Sequence, residues 1–452
     1  MVQGKPMLRS LVLLTFIVSH SVLADTILSM KERSELIDSI LKQRFETVLP
    51  EVMARENIDM WVIMSREYNE DPVIKTMLPS SWLSARRHTM LVIYNPGKNK
   101  PLEKLAVARY AVGDLFEKAW DKEAQPDQWQ ALSDIIKQRN PNKIAINTSD
   151  AFALGDGMSA TEYKKFMAVL PEALKKRVVS GENLSIGWLE TRSELEMTHY
   201  PTLAKIGHSL IATAFSNAVI TPNETTTDDV VWWLRDQTRA LGLTNWFHPT
   251  VSIQRADNEA FDQIKAFSKR PGENIIRPGD LLHVDFGITY LRLNTDQQQH
   301  AYVLKPSETD VPDGLKQALK NANRLQDILT NNFEVKRSGN TILKMSREHA
   351  IEEGIKPAIY THPLGFHGHA AGPTIGMWDA QNGVPVQGDY PMYPNTAYSI
   401  ELNAASQVTE WNKEIRIMLE EDAFFDGESV SYLDGRQTTF HLIRSDDSSN
   451  HK

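Results

Sequence analysis

Asp285 and Asp296 stand eleven positions apart in the stretch His283-Val284-Asp285-Phe286-Gly287-Ile288-Thr289-Tyr290-Leu291-Arg292-Leu293-Asn294-Thr295-Asp296, and each follows residues that read as a β-strand. Aspartate is depleted in strands because its short charged side chain packs poorly on a pleated surface, so an acid set into an apolar strand needs a counter-charge. A cation supplies one. On their own the two residues fit equally well a commoner arrangement, a pair of strand-end aspartates facing water.

Further along, Tyr360-Thr361-His362-Pro363-Leu364-Gly365-Phe366-His367-Gly368-His369-Ala370-Ala371-Gly372-Pro373 places three histidines within eight residues, among glycines and prolines. Histidine is the commonest transition-metal ligand and an acid or base near neutral pH. Any one of them alone reads as a hydrogen-bonded, partly buried imidazole; three together point to a site. Two strand patterns then carry acids at their centres: Thr396-Ala397-Tyr398-Ser399-Ile400-Glu401-Leu402-Asn403, and Ile415 to Phe425 with Glu420, Glu421 and Asp422 inside it. A buried carboxylate without a partner takes up a proton, whereas a divalent cation keeps it ionised. Glu421 and Asp422 are equally compatible with solvated acids or with pairing to Arg416.

The elements that must position these residues belong to a chain of 452 residues, more than one core usually holds, so two domains are expected. A hydrophobic share of 41% and a charged share of 24% are those of an ordinary soluble protein. A formal charge of -9, with no Lys/Arg stripe among aromatics, argues against nucleic acid as a partner. Lys5 and Arg9 precede the apolar run Leu11 to Val18, and Val22 and Ala24 occupy the small-residue places before Asp25. That is the pattern of a secretory signal peptide over residues 1–24. The run is far shorter than the roughly 20 residues a bilayer span needs, so no membrane anchor is expected after cleavage. With no cysteine in the chain, a bacterial periplasm is the expected destination.

Residues 25–190 alternate helical stretches such as Glu35 to Leu49 with apolar runs, Met60 to Met64, Met90 to Tyr94, Leu105 to Ala108 and Lys143 to Ile146. The alternation predicts a mixed sheet flanked by helices, and no Gly-rich phosphate loop follows any of its strands. Residues 191–445 form a second block. It opens on a long helical pattern from about Ser193, followed by a helix started by Thr227-Asp228-Asp229, in which Thr caps and the acids suit the positive helix end. Arg277-Pro278-Gly279-Asp280 is turn chemistry set before the strand that carries Asp285. The polar residues 446–452 read as a disordered tail.

The order Asp, Asp, His, Glu, Glu and its spacings resemble the pita-bread metallopeptidases: methionine aminopeptidase, aminopeptidase P, prolidase and the related creatinase. The resemblance runs from about Ser193 to Ile443, and the preceding block resembles the amino-terminal domain of the aminopeptidase P, prolidase and creatinase branch. It implies an α/β N-terminal creatinase-like domain followed by an α+β pita-bread catalytic domain. It also implies two divalent metal ions (Mn, Co, Zn or Fe): Asp285 chelating one, Asp296 bridging both, His362 and Glu401 on the second, and Glu420, with Glu421 as its neighbour in register, as the other bridge. His369, seven residues after His362, resembles the histidine that contacts the substrate carbonyl, with His367 outside that shell. Such an oxygen-rich set makes water easy to deprotonate and polarises a carbonyl, and Glu401 can pass the proton on.

The activity implied is that of a dinuclear exopeptidase acting between an amino-terminal residue and proline on a peptide substrate, with homodimers common in the family. Three departures stand out. Ala358 occupies the place of a further histidine four residues before His362; the histidine expected some seventeen residues before Asp285 falls near Ser268; and Gln297-Gln298-Gln299 replaces a Thr-Arg after Asp296. Two other readings follow from the same fold, a creatinase-type hydrolase of a non-peptide C-N bond and a catalytically inactive peptide-binding protein. The latter usually loses ligands that this chain retains.

Overall fold

The computed structural model describes residues 27–97, 100–257 and 274–445. The expected signal peptide, the expected tail and Ser268 lie outside them. The described residues divide into two compact units, one of 30–97, 100–198 and 370–372, the other of 27–29, 199–257, 274–369 and 373–445. Among the described residues no helix is long and apolar enough to cross a membrane.

The amino-terminal unit is a six-stranded mixed sheet. Its strands are β1 (Met60–Arg66), β2 (His88–Tyr94), β3 (Glu103–Val107), β4 (Glu117–Lys118), β5 (Ile144–Ile146) and β6 (Val178–Ser180), in the order β4-β3-β2-β1-β5-β6. β1 pairs antiparallel with β2 and parallel with β5. Met60 to Ser65 are all buried, which is why the run is continuously apolar rather than alternating. The single helix expected over Glu35 to Leu49 is two, Met30–Glu46 and Val48–Arg55. Pro50 explains the break: it has no N–H to give to the carbonyl four residues back, and it is tolerated only in the first turn of the second helix. Arg44, fully buried, joins Arg192 on the Glu196 carboxylate at 2.6 and 2.9 Å. Burial lowers its pKa to about 10, against the pull of Glu196.

Among the described residues the carboxy-terminal unit holds thirteen strands: β7 (Thr250–Gln254), β8 (Leu281–Phe286), β9 (Thr289–Tyr290), β10 (Leu293–Asn294), β11 (Gln297–Val303), β12 (Lys356–Ile359), β13 (His362–Leu364), β14 (Thr396–Ser399), β15 (Leu402–Val408), β16 (Lys413–Leu419), β17 (Asp422–Phe425), β18 (Val430–Tyr432) and β19 (His441–Ile443). They form sheets β19-β11-β8-β7, β12-β15-β16 and β13-β14-β17-β18, with the hairpin β9-β10 apart. The amphipathic helix Asp313–Thr330 buries Leu315, Ala318, Leu319, Ala322, Leu325, Ile328 and Leu329, a three-and-four spacing that makes one apolar face. That face packs into a core shared with Tyr398, Leu402, Ile417 and Phe425.

The sheets β12-β15-β16 and β13-β14-β17-β18 are made by the same three stretches of chain. Each stretch breaks once, between β12 and β13, between β14 and β15, and between β16 and β17. The registers place the breaks side by side: Ile359 pairs with Leu402 and Leu402 with Leu419, while His362 pairs with Ser399 and Ser399 with Asp422. The helix expected to start at Thr227 does so, but Thr226 is the cap: its hydroxyl accepts the Asp229 N–H while the Asp229 carboxylate accepts the Thr226 N–H. A cap lies one residue outside the helical φ/ψ run, so the first of the consecutive threonines able to reach the third amide takes the role.

Candidate metal centre

Each expected residue sits where a regular element stops or begins. Asp285 is the fifth residue of β8, and the hairpin β9-β10 then folds the chain back. The hairpin turns on Leu291 and Arg292, both left-handed at φ 53° and 66°, as a two-residue turn that follows strand twist requires. Asp296 follows the hairpin directly. His362 opens β13, and Glu401 and Glu420 lie in the seam where β14 gives way to β15 and β16 to β17. Backbone bonds tie the seam together: Tyr360 N–H to Glu401 C=O at 3.0 Å, Ile400 N–H to Glu421 C=O at 2.9 Å, and Gln298 N–H to Glu420 C=O at 2.9 Å.

The side chains converge. Asp285, Asp296 and Glu420 form one group of potential ligand atoms within 4.8 Å of one another; His362, Glu401 and Glu420 form a second, and Asp296, His362 and His369 a third. His362 Nε2 lies 3.5 Å from Asp296 Oδ2 and 3.5 Å from Glu420 Oε1. Burial raises the Asp285, Asp296 and Glu401 carboxyls well above their ordinary range, and the Glu420 charge beside them pushes in the same direction. Burial alone would lower His362, but Glu420 and Glu401 leave it raised. Such a cluster holds protons or cations; it is not stable as bare charge.

The donor set fits divalent ions. Asp285 Oδ1, Asp296 Oδ1 and His362 Nε2 are buried and make no hydrogen bond, which for a polar atom removed from water calls for an explanation. Oxygen donors with one imidazole suit first-row divalent metals. His369 is the exposed member of the third group, its ring 4.8 Å from that of His362 at 87° and 5.2 Å from that of Trp246. Protein packed around it and the neighbouring His362 push it down to about 4, so near neutral pH it is an uncharged imidazole.

Glu420 and Glu421 differ in their partners. Glu421 accepts from the Gln437 N–H at 2.8 Å and from Gln299 Nε2 at 3.3 Å, and its Oε2 meets His208 Nε2 at 2.6 Å. It takes no part in the three groups, whereas Glu420 takes part in two. Neither Glu421 nor Asp422 is a solvated acid: both are buried, and Asp422 accepts the Asp296 N–H at 2.9 Å. Arg416 bonds Asn403 at 2.8 Å instead. His367 is outside the groups. Ala358 lies in β12, and His248, which bonds Arg235 at 3.0 Å, is not in the three groups.

Other residues escaped the sequence. Gln298 Nε2 donates to Glu401 Oε1 at 2.8 Å and to Glu420 Oε2 at 2.6 Å, while its Oε1 accepts from His283 Nε2 at 2.7 Å. Ser399 Oγ donates to Glu420 Oε1. Trp246, anchored by its Nε1–H to the Thr295 carbonyl at 2.8 Å, stands beside His369. A Cβ on Gly368 would come within 2.3 Å of the Trp246 ring, so only glycine allows this approach. Gln298 carried a signal, as a departure from the family pattern, but a spacing cannot say which groups an amide will join.

The architecture is a pita-bread fold preceded by an α/β domain, and its side chains form a candidate metal centre. Residues 203–423 match the model of metallopeptidase family M24. A search of curated proteins finds no match. Among solved structures it is similar to an X-Pro aminopeptidase from Thermotoga maritima MSB8, at 15% identity and TM-score 0.60, over 87% of this chain and 100% of that one. It is similar also to an Xaa-Pro dipeptidase from Bacillus anthracis, at 15% identity and TM-score 0.55, over 92% and 100%. A third is a prolidase from Pyrococcus horikoshii OT3, at 13% identity and TM-score 0.55, over 87% and 98%. At these identities the likeness speaks for the fold.

Proposed function

We propose that Asp285, Asp296, His362, Glu401 and Glu420 hold two divalent ions and that the chain is an exopeptidase cleaving between an amino-terminal residue and proline. The observation that carries this reading is the convergence of the three ligand groups, with unsatisfied buried atoms on Asp285, Asp296 and His362. Ions held there would lower the pKa of water to near neutrality and polarise a scissile carbonyl. The chain's own groups do the rest. Glu401, the seam carboxylate with one oxygen on Gln298, takes a proton and returns it to the leaving amine. His369, neutral and open to solvent, donates its N–H to the carbonyl oxygen as charge grows there. Trp246 and Tyr360 flank the same histidine, at ring distances of 5.2 and 6.3 Å, and offer apolar faces to a proline ring. Export to a periplasm is part of the proposal and rests on the leader pattern over residues 1–24.

The test is metal analysis of the purified protein together with turnover of Xaa-Pro dipeptides and longer Xaa-Pro peptides. Two equivalents of metal per chain and release of the first residue are expected. Metal without peptide turnover, or turnover of a small C-N substrate alone, overturns the exopeptidase reading; no metal overturns the centre.

A further inference from the structure

Gln298 lies on β11 directly opposite Asp285 in β8 and exchanges backbone bonds with Glu420, its N–H to the Glu420 C=O at 2.9 Å and the Glu420 N–H to its C=O at 3.3 Å. Its backbone is therefore locked between two of the acids in the cluster. The side chain is buried, and all of its strong bonding capacity on the cluster side is used: the amide nitrogen gives to Glu401 Oε1 at 2.8 Å and to Glu420 Oε2 at 2.6 Å. An amide carries two N–H donors, so both are spent on carboxylates. The opposite flip would set a carbonyl oxygen against two carboxylates, so the carboxylates fix the orientation of the amide. With the amide so placed, its Oε1 faces His283 Nε2 at 2.7 Å, which donates there, and Nδ1 faces the Ser252 hydroxyl at 3.4 Å.

We infer that Gln298 is a positioning residue that sets metal affinity: an uncharged clamp that holds one oxygen from each of Glu401 and Glu420, with Ser399 Oγ on the other oxygen of Glu420, and so fixes both carboxylates beside the ion site. The inference rests on the proposed metal centre. Neutrality matters as much as geometry. A Lys or Arg at this place would satisfy the same oxygens but cancel part of the negative charge that draws divalent ions, whereas a glutamine leaves it whole. Groups that orient ligands from behind typically change metal affinity by 10- to 100-fold when removed, without touching the metal themselves.

The experiment is calorimetric titration of the metal-stripped full chain with Mn2+, for the wild type, Gln298→Met, Gln298→Arg and the ligand variant His362→Ala, with circular dichroism and melting curves recorded for each. Methionine matches glutamine in length and lacks both donors. Gln298→Met is expected to melt cooperatively and to bind Mn2+ about 10- to 100-fold more weakly. Gln298→Arg, which restores the donors but adds charge, is also expected to bind more weakly than wild type. Wild-type binding lost in His362→Ala but unchanged in Gln298→Met overturns the clamp while the metal centre stands. No Mn2+ binding by wild type overturns the centre itself. If Gln298→Met does not fold, His283→Gln carries the test, since it disturbs the group that donates to the amide oxygen: unchanged affinity there also overturns the inference.

Discussion

At the scale of single residues the cluster is explained by one imbalance, more buried negative charge than any nearby side chain neutralises. His362 is the imidazole within reach of it, and two arginines that could have paired with buried acids are elsewhere, Arg44 and Arg192 on Glu196. The adjacent pair Glu420 and Glu421 makes the sharpest prediction. Glu420→Gln should abolish tight binding of divalent ions. Glu421→Gln should retain it while lowering stability by about 1–3 kcal/mol, because it breaks a buried charge-assisted bond with His208. Titration of both variants with Mn2+ checks the ranking, and the reverse ranking contradicts the assignment. Asp285, Asp296, His362, Glu401 and His369 were legible because acids and clustered histidines are out of place in apolar strands. The choice between Glu420 and Glu421 was not, because it depends on His208 and Gln437, far from Glu421 in sequence and bonded to it in space.

At the scale of elements the three aligned strand breaks do the positioning. A continuous strand alternates its side chains between two faces, so an acid within it would point either into a core or into water. A break lets Glu401 and Glu420 turn toward a common point while the flanking residues stay paired on both sides. Apolar periodicity runs straight through Thr396 to Asn403 and Ile415 to Phe425, which is why the sequence shows strands there and not their interruptions. Helix ends read more faithfully, because capping needs particular residue types; the one-residue difference at Thr226 reflects three consecutive threonines, Thr225 to Thr227. Replacing that cap tests whether the helix Thr227–Ala240 depends on it: Thr226→Ala should cost about 1 kcal/mol in chemical denaturation, and Thr227→Ala should lose no cap bond. Equal losses would place the cap elsewhere.

At the scale of the molecule, two histidines of the carboxy-terminal unit make its stability depend on pH in opposite directions. Burial lowers His300 to about 3, where its Nε2 accepts the Met418 N–H at 3.0 Å. The unfolded chain takes up a proton below pH ~6.5 that the folded one refuses, so this contribution to stability is whole above 6.5 and is lost as pH falls toward 3. His208 behaves oppositely. Burial alone would lower it, but Glu421 and Asp434 raise it to about 9, so its contribution is whole below 6.5 and is lost as pH rises through 9. Taken by themselves these two contributions are jointly greatest near pH ~6.5, and the raised acids of the cluster add their own dependence, so the test compares variants with wild type in melting temperatures from about pH 5 to 9.5. His300→Gln should flatten the acid limb and His208→Gln the alkaline one; limbs unchanged by both would refute the assignment. The two-unit organisation and both sheet-rich blocks were visible in the alternation of apolar runs and in length. The six-stranded order of the first unit was not, since strand pairing is fixed by contacts between residues far apart in sequence.

Anomalous X-ray scattering from crystals of the full chain soaked in Mn2+ addresses the centre most directly. Two peaks are expected, together contacted by Asp285, Asp296, His362, Glu401 and Glu420 and lost in Asp296→Ala crystals. A single peak, or peaks that leave Glu401 and Glu420 without metal, would contradict the two-ion centre.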